Sequence, residues 1–325
     1  MVIYMIRAGE SERLKETKKY WTILGKDIRR DWMLYLFLLP VIANFVIFHY
    51  IPMYGLQIAF KRYNIGLGMM GSPWTGLTNL TNFFTSYYFW TFTKNTLIIS
   101  LMLIVFGFPL PILFALLLNE VRHAGLRKAS QTISYLPYFV SAVVLVGMIK
   151  QILQPGGGLV NNIILMFGGA ENYFLGNPDY FRWIYLIMEI WRGTGFGAII
   201  YIAAITGIDQ ELYEAGVMDG AGRLRRIWHI TLPCIAPTII ILFILRMGGI
   251  LNVGWQEILL LQNPLNADVS EVISTFVYKR GFGVGGGNPD YGYAAAVGMV
   301  NSVVGLIFVL LTNAIAKKTS ETQLF

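Results

Sequence analysis

Residues 97–118 read LIISLMLIVFGFPLPILFALLL, twenty-two positions without a charge. At 1.5 Å per residue a helix of that length crosses the roughly 30 Å hydrocarbon core of a bilayer. Working outward, comparable apolar stretches recur at Trp32–Ile51, Ile133–Ile149, Trp183–Thr206, Pro237–Leu261 and Tyr293–Ala316. Amides in hydrocarbon must pair within their own segment, so these six read as helices, and the period-2 alternation of a membrane barrel is absent. The whole chain of 325 residues agrees: 55% is hydrophobic and only 13% charged, with mean hydropathy +0.57. A water-soluble globule of this size needs far more charge on its surface. The reading is an all-α membrane protein with six transmembrane helices.

The placement of basic residues orients it. Segments 1–31, 119–130, 207–236 and 317–325 carry 16 Lys and Arg, against 6 in the alternate loops 61–94, 155–182 and 262–290. The richer side is expected to be cytoplasmic, with both termini there. The formal charge of +7 is thus a topology signal beside anionic membrane lipid, and no nucleic-acid partner is implied. No apolar signal region precedes Trp32, so no cleaved leader is expected. A single cysteine, Cys234, excludes an internal disulfide, and three scattered histidines give no metal-ligand spacing. Paired acids or a nucleophile with its base are likewise missing, so we expect a non-enzyme.

The loop 207–236, GIDQELYEAGVMDGAGRLRRIWHITLPCIA, is too long for a simple connection. Asp209 is placed to cap a helix and Gly220 to end it in a left-handed conformation. Arg223–Thr231 mixes arginines with Ile227, Trp228 and Ile230 and reads as a helix lying along the membrane face. Pro233 and Pro237 are expected to stop it from running straight into the fifth span.

Within this loop Glu214-Ala215-Gly216, Asp219-Gly220-Ala221 and Ile230-Thr231-Leu232-Pro233 resemble the EAA motif of ABC-importer permeases, at the right spacing and after the fourth of six spans. Gly216 departs from the pattern, standing where the second alanine belongs. Trp74-Thr75-Gly76-Leu77, Phe83-Phe84, Phe89-Trp90 and Asn95-Thr96-Leu97 look like the carbohydrate branch. Tyr291, Ala294, Val297-Gly298 and Ser302-Val303-Val304-Gly305 are similar to its polysaccharide and oligosaccharide subgroup, which includes permeases of alginate importers. The resemblance implies the type I ABC-importer permease fold: a basic segment 1–31, a permease domain 32–316 with an ATPase-docking loop 207–236, and a tail 317–325. It further implies residence in a bacterial inner membrane, a second homologous permease forming a heterodimer, two ATPase subunits, an extracytoplasmic solute-binding protein and a carbohydrate substrate. Glu214, Ala215, Gly216, Asp219, Gly220, Ala221 and Pro233 would dock the ATPase. No P-loop string G-x-x-x-x-G-K-[ST] occurs here, so ATP and Mg are expected on the partner and no cofactor in this chain.

Charges inside spans are costly, at least about 2.5–3.5 kcal/mol each, and need a partner or a wet cavity. Arg192 and Arg246 each fall roughly 14 Å into their spans, near the midplane. Glu189 lies three residues before Arg192, on one helical face, and can pair with it. Glu257 and Lys150 are expected to snorkel from helix ends. Two readings stay open for the midplane group: a satisfied pair or contact with the partner permease, or a lining of the translocation path. Under the second, Glu189, Arg192, Arg246, Asn252, Trp255, Gln256 and Asn301 line the path, and an anionic sugar such as a uronate oligosaccharide is favoured. A permease for another small solute, an ion-coupled carrier and an intramembrane enzyme are the alternatives.

Overall fold

The structure is a computed structural model and describes residues 30–319. Most of the basic N-terminal segment 1–31 and of the tail 317–325 therefore lies outside the described residues. The described chain is helical throughout, with no strand beyond one isolated antiparallel bridge between Lys61 and Trp74. It divides into an N-terminal unit, which ends at Gln57, and a larger unit from Ile58 onward.

Most of the helical run α1, Trp32–Phe60, belongs to the N-terminal unit. None of its residues Trp32–Phe45 is buried, an all-round apolar surface that suits lipid.

The larger unit contains α2 (Phe89–Asn119), α3 (Ala124–Phe139), α4 (Ala142–Leu153), α5 (Leu159–Met166) and α6 (Pro178–Thr206). These are followed by α7 (Gln210–Met218), α8 (Arg223–Gly248), α9 (Trp255–Leu261), α10 (Ile273–Phe282) and α11 (Tyr291–Thr319). Helices α1, α2, α6, α8 and α11 are each long and apolar enough to cross a membrane, and α3 with α4 passes only as a bent pair.

That bend corrects the third expected span. Instead of a straight Ile133–Ile149 helix, the chain turns by 100° between α3 and α4. Val140 is extended, and Ser141 restarts the helix by accepting a hydrogen bond from Val144 N at 3.4 Å. The corner is held against α6. Tyr138 stacks on Phe196 with ring centroids 3.9 Å apart, and a Cβ added at Gly195 would collide with the Ser134 carbonyl. Within α6, Gly195 thus permits close packing, as does Gly197, whose Cβ would lie 3.2 Å from Pro111. Gly193, between them and the ion group, has nothing within 4 Å.

The fifth span also differs. Neither expected stop, at Pro233 or at Pro237, occurs: α8 is one run of 26 residues from Arg223 to Gly248, so Arg223–Thr231 is the base of the span and not a separate helix along the membrane face. A widened, π-helical turn at Ile227–Thr231 explains this. A proline ring clashes with the carbonyl four residues back, and for Pro233 that carbonyl belongs to His229, inside the widened turn. The same arrangement recurs twice. Val46–Tyr50 widens ahead of Pro52, and Leu103–Gly107 ahead of Pro109. In each, the carbonyl the ring would strike lies within the π turn, so the helix passes through the proline. At its other end α8 stops early, at Gly248, and Trp255–Leu261 forms the separate helix α9.

The core of the larger unit is where α2, α4, α6, α9 and α10 meet, around Ile99, Leu145, Phe181, Tyr185, Met188, Ile258, Leu261 and Val272. A second cluster, with Ala115, Ala198, Tyr201 and Ile235, joins α2, α6 and the base of α8.

Gly195→Ala is expected to lower the melting temperature of the detergent-solubilised protein, since overpacking costs about 1–3 kcal/mol. Gly193→Ala, with open space around it, is expected to leave the melting temperature unchanged or raise it.

Candidate functional site

Two constellations stand out, one in the loop after α6 and one at the centre of the helices.

In the loop, Asp209 caps α7 by accepting a hydrogen bond from Glu211 N at 3.0 Å. The helix ends at Gly220 with φ +72°, and Ala221 N donates to Gly216 O at 2.8 Å while Gly220 N donates to Val217 O at 3.0 Å. These two bonds form the glycine-terminated C-cap that satisfies the last carbonyls. On this stiff, doubly capped helix Glu214, Ala215, Asp219 and Gly220 are exposed, while Gly216 and Ala221 are half-buried. Pro233 is exposed at the base of α8. Around the acids lie exposed apolar side chains: Leu212, Val217, Met218, Leu224 and Trp228. Gly216 has a packing reason, since a Cβ there would come 2.9 Å from Ile230 Cδ1. An alanine would require the end of the Ile230 side chain to move aside. Arg223, at the start of α8, reaches Glu120 at the end of α2 at 3.9 Å.

At the centre, Arg192 Nη1 donates to Glu257 and lies 3.5 Å from Glu189 Oε1. Glu257 is buried and does not snorkel, contrary to the expectation from sequence. The reason is the break after Gly248, which carries α9 back toward α6 instead of out along the line of α8. The break itself is stitched by side chains. Ser100 donates to Ile250 O, Ser274 donates to Val253 O at 3.2 Å, and Gly254 N donates to Tyr185 OH at 3.0 Å.

Beside this ion group lies a cavity of about 320 Å³, lined by Glu189, Thr194, Tyr201 and Arg246 with apolar residues of α2, α6 and α8. Among the described residues Arg246 makes no ion pair. The sequence-expected residues thus fall into separate groups. Glu189, Arg192 and Arg246 come together. Asn301 Nδ2 donates to Asn252 Oδ1 at 2.8 Å, forming a bridge between α11 and the break. Trp255 stacks on Tyr278 at 4.4 Å between centroids, and Gln256 is exposed. Tyr185 and Ser100 were not singled out by sequence, and Glu257 was read there only as a helix-end residue. The breaker signal that would have found them is Gly248-Gly249 followed by Gly254.

Residues 107–321 match the model of the binding-protein-dependent transport system inner membrane component. The chain belongs to that family. This inner membrane component is 45% identical, over 96% of its own length and 95% of the relative's, to the polygalacturonan/rhamnogalacturonan transport system permease protein YteP of Bacillus subtilis strain 168. It is 43% identical to protein LplB of the same organism, covering 92% of each. A chain in the crystal structure of a bacterial alginate ABC transporter, in complex with an alginate pentasaccharide-bound periplasmic protein, superposes with a TM-score of 0.82 at 44% identity. The match covers 92% of this permease and 99% of that chain. The six-span permease fold read from sequence is the observed one, with the third span bent and the fifth ending early.

Removing one partner of a buried ion pair leaves the other charge stranded, at a cost of about 3–5 kcal/mol. Glu257→Gln and Arg192→Met are each expected to lower the detergent melting temperature sharply, and the double variant to recover much of the loss. Additive losses would show that the two side chains act independently.

Proposed function

We propose that this permease is one membrane-spanning half of an ATP-driven importer for uronate-containing oligosaccharides in a bacterial inner membrane, with both termini in the cytoplasm. The observation that carries the reading is the exposed, doubly capped α7 helix bearing Glu214, on a chain that shares its fold and nearly half its residues with importers of acidic polysaccharides. Polygalacturonan and alginate, named for two of these relatives, are both polymers of hexuronic acids, so a sugar carboxylate is the common chemical feature.

In this reading a second homologous permease completes the path, and a solute-binding protein delivers the sugar from outside. Two ATPase subunits bind ATP and Mg, and this chain holds no cofactor. α7 docks on an ATPase: Glu214 supplies an acid for a basic partner, and Gly220 lets the chain turn away from the contact. Closure of the ATPases moves the docked helices and opens the cavity outward, the two-state coupling that any such machine requires. Beside the cavity Arg192 is neutralised by two carboxylates, whereas within it Arg246 offers a cation to the sugar carboxylate, and Thr194 and Tyr201 offer hydroxyl groups.

In proteoliposomes holding the complete complex, Glu214→Lys and Gly220→Asp are expected to abolish ATPase stimulation by loaded binding protein while the chain still inserts. Unchanged uptake in both would remove the docking role. Arg246→Gln is expected to cut uptake of oligogalacturonate at least about tenfold, as charged hydrogen bonds are worth roughly 1.5–3 kcal/mol. Equal loss for a neutral oligosaccharide would speak against carboxylate recognition, and uptake without any ATPase, under an ion gradient, against the whole reading.

A further inference from the structure

The docking helix and the cavity are joined by a single continuous helix, and two hydroxyl groups make the joint. Helix α8 is uninterrupted over 26 residues, about 39 Å. Near its base Thr231 is only 1% exposed, and its Oγ1 lies 2.9 Å from the Tyr213 hydroxyl on α7. Tyr213 immediately precedes Glu214, yet the two point differently: Tyr213 is half-buried against α8, and Glu214 is exposed. One turn on, Gly216 allows the α7 backbone to approach Ile230, so the contact is a seat as well as a bond.

The far end of α8 is a close backbone contact. A Cβ at Gly305 of α11 would collide with the Gly248 carbonyl, and one at Gly248 would come 2.6 Å from Val309 Cγ2. Arg246 occupies the last turn before that contact and lines the cavity together with Glu189, which belongs to α6. A helix seated at one end and held backbone-to-backbone at the other can turn about its own axis, which swings the side chains of its last turn against α6.

We propose that the Tyr213–Thr231 hydrogen bond is the joint through which displacement of α7 turns α8 about its own axis, with the Gly248–Gly305 contact as its bearing, swinging the Arg246 side chain relative to Glu189 inside the cavity. Tyr213 and Thr231 are positioning residues, touching neither sugar nor nucleotide. The inference rests on the docking role of α7 given above.

The test uses the complete complex in proteoliposomes with binding protein loaded with oligogalacturonate, comparing Tyr213→Phe, Thr231→Val, the double variant and Thr231→Ser. The expected readout is sugar imported per ATP hydrolysed. Tyr213→Phe and Thr231→Val should each lower it about three- to tenfold, the range that loss of one hydrogen bond represents. The double variant should match either single one, and Thr231→Ser, which keeps the hydroxyl, should match the unaltered complex. All four should co-purify with the ATPase. Unchanged import per ATP, or losses that multiply in the double variant, would overturn the joint. Loss of ATPase co-purification in Tyr213→Phe would overturn it too, because the bond would then be holding α7 folded instead of transmitting its motion. The docking reading fails by a different result: Glu214→Lys with co-purification and ATPase stimulation intact.

Discussion

Backbone groups released from a helix within hydrocarbon have no water to receive them, and each one left unpaired costs several kcal/mol. The break between α8 and α9 releases such groups in the middle of this permease, and the surrounding helices are arranged to take them up. Ser100 of α2 donates to Ile250 O, Ser274 of α10 donates to Val253 O, and Tyr185 of α6 accepts from Gly254 N. Three different helices are thereby committed to one short segment. Their packing follows, since Tyr185 and Val253 belong to the same buried cluster as Ile99 and Leu145. The break also allows Glu257 to turn back onto Arg192. An unbroken α8 would have carried that carboxylate away from α6 and left Arg192 with Glu189 alone.

The charges obey the same economy. Arg192 shares one guanidinium nitrogen between two carboxylates, which leaves little of its charge for a solute. Arg246 has no such partner among the described residues, and it opens on the cavity. The two midplane arginines, indistinguishable in sequence by depth and hydropathy, therefore divide into a structural one and an available one. What separates them is the fold of residues 249–254, which adjoins Arg246 but lies far along the chain from Arg192.

That division marks how far the sequence could be read. Span number, helix type and the caps of α7 were legible because each rests on local chemistry: uninterrupted apolar length, Asp209 before a helical run, Gly220 where φ must be positive. Gly216 could be seen as a departure but not explained, since its reason, Ile230, comes from the next helix. The prolines misled. Pro233 read as a stop because the rule for prolines assumes an α-helical turn four residues back, and the widened turn at Ile227–Thr231 removes that premise. The 100° corner between α3 and α4 was hidden for a related reason: Ser134 and Gly195, which hold it, are far apart in the chain.

The recurrence of widened turns ahead of Pro52, Pro109 and Pro233 suggests what these prolines are for. A proline removes one hydrogen bond, and a π turn loosens the ladder around it, so each pair makes a softer place in an otherwise regular helix. In α8 the soft place includes Thr231 and lies where α7 is seated. Above it the helix runs to Gly248 with no second widened turn, although Pro237 removes one further hydrogen bond. Compliance is thus greatest at the base, where motion would enter, and smaller in the stretch that would carry it to Arg246. A helix that was rigid at its base would resist displacement, and one that was soft along its length would absorb it. The order found here, a seat, a yielding turn, a long shaft and a close glycine contact at the tip, suits a small turn of α8 that enters at its base.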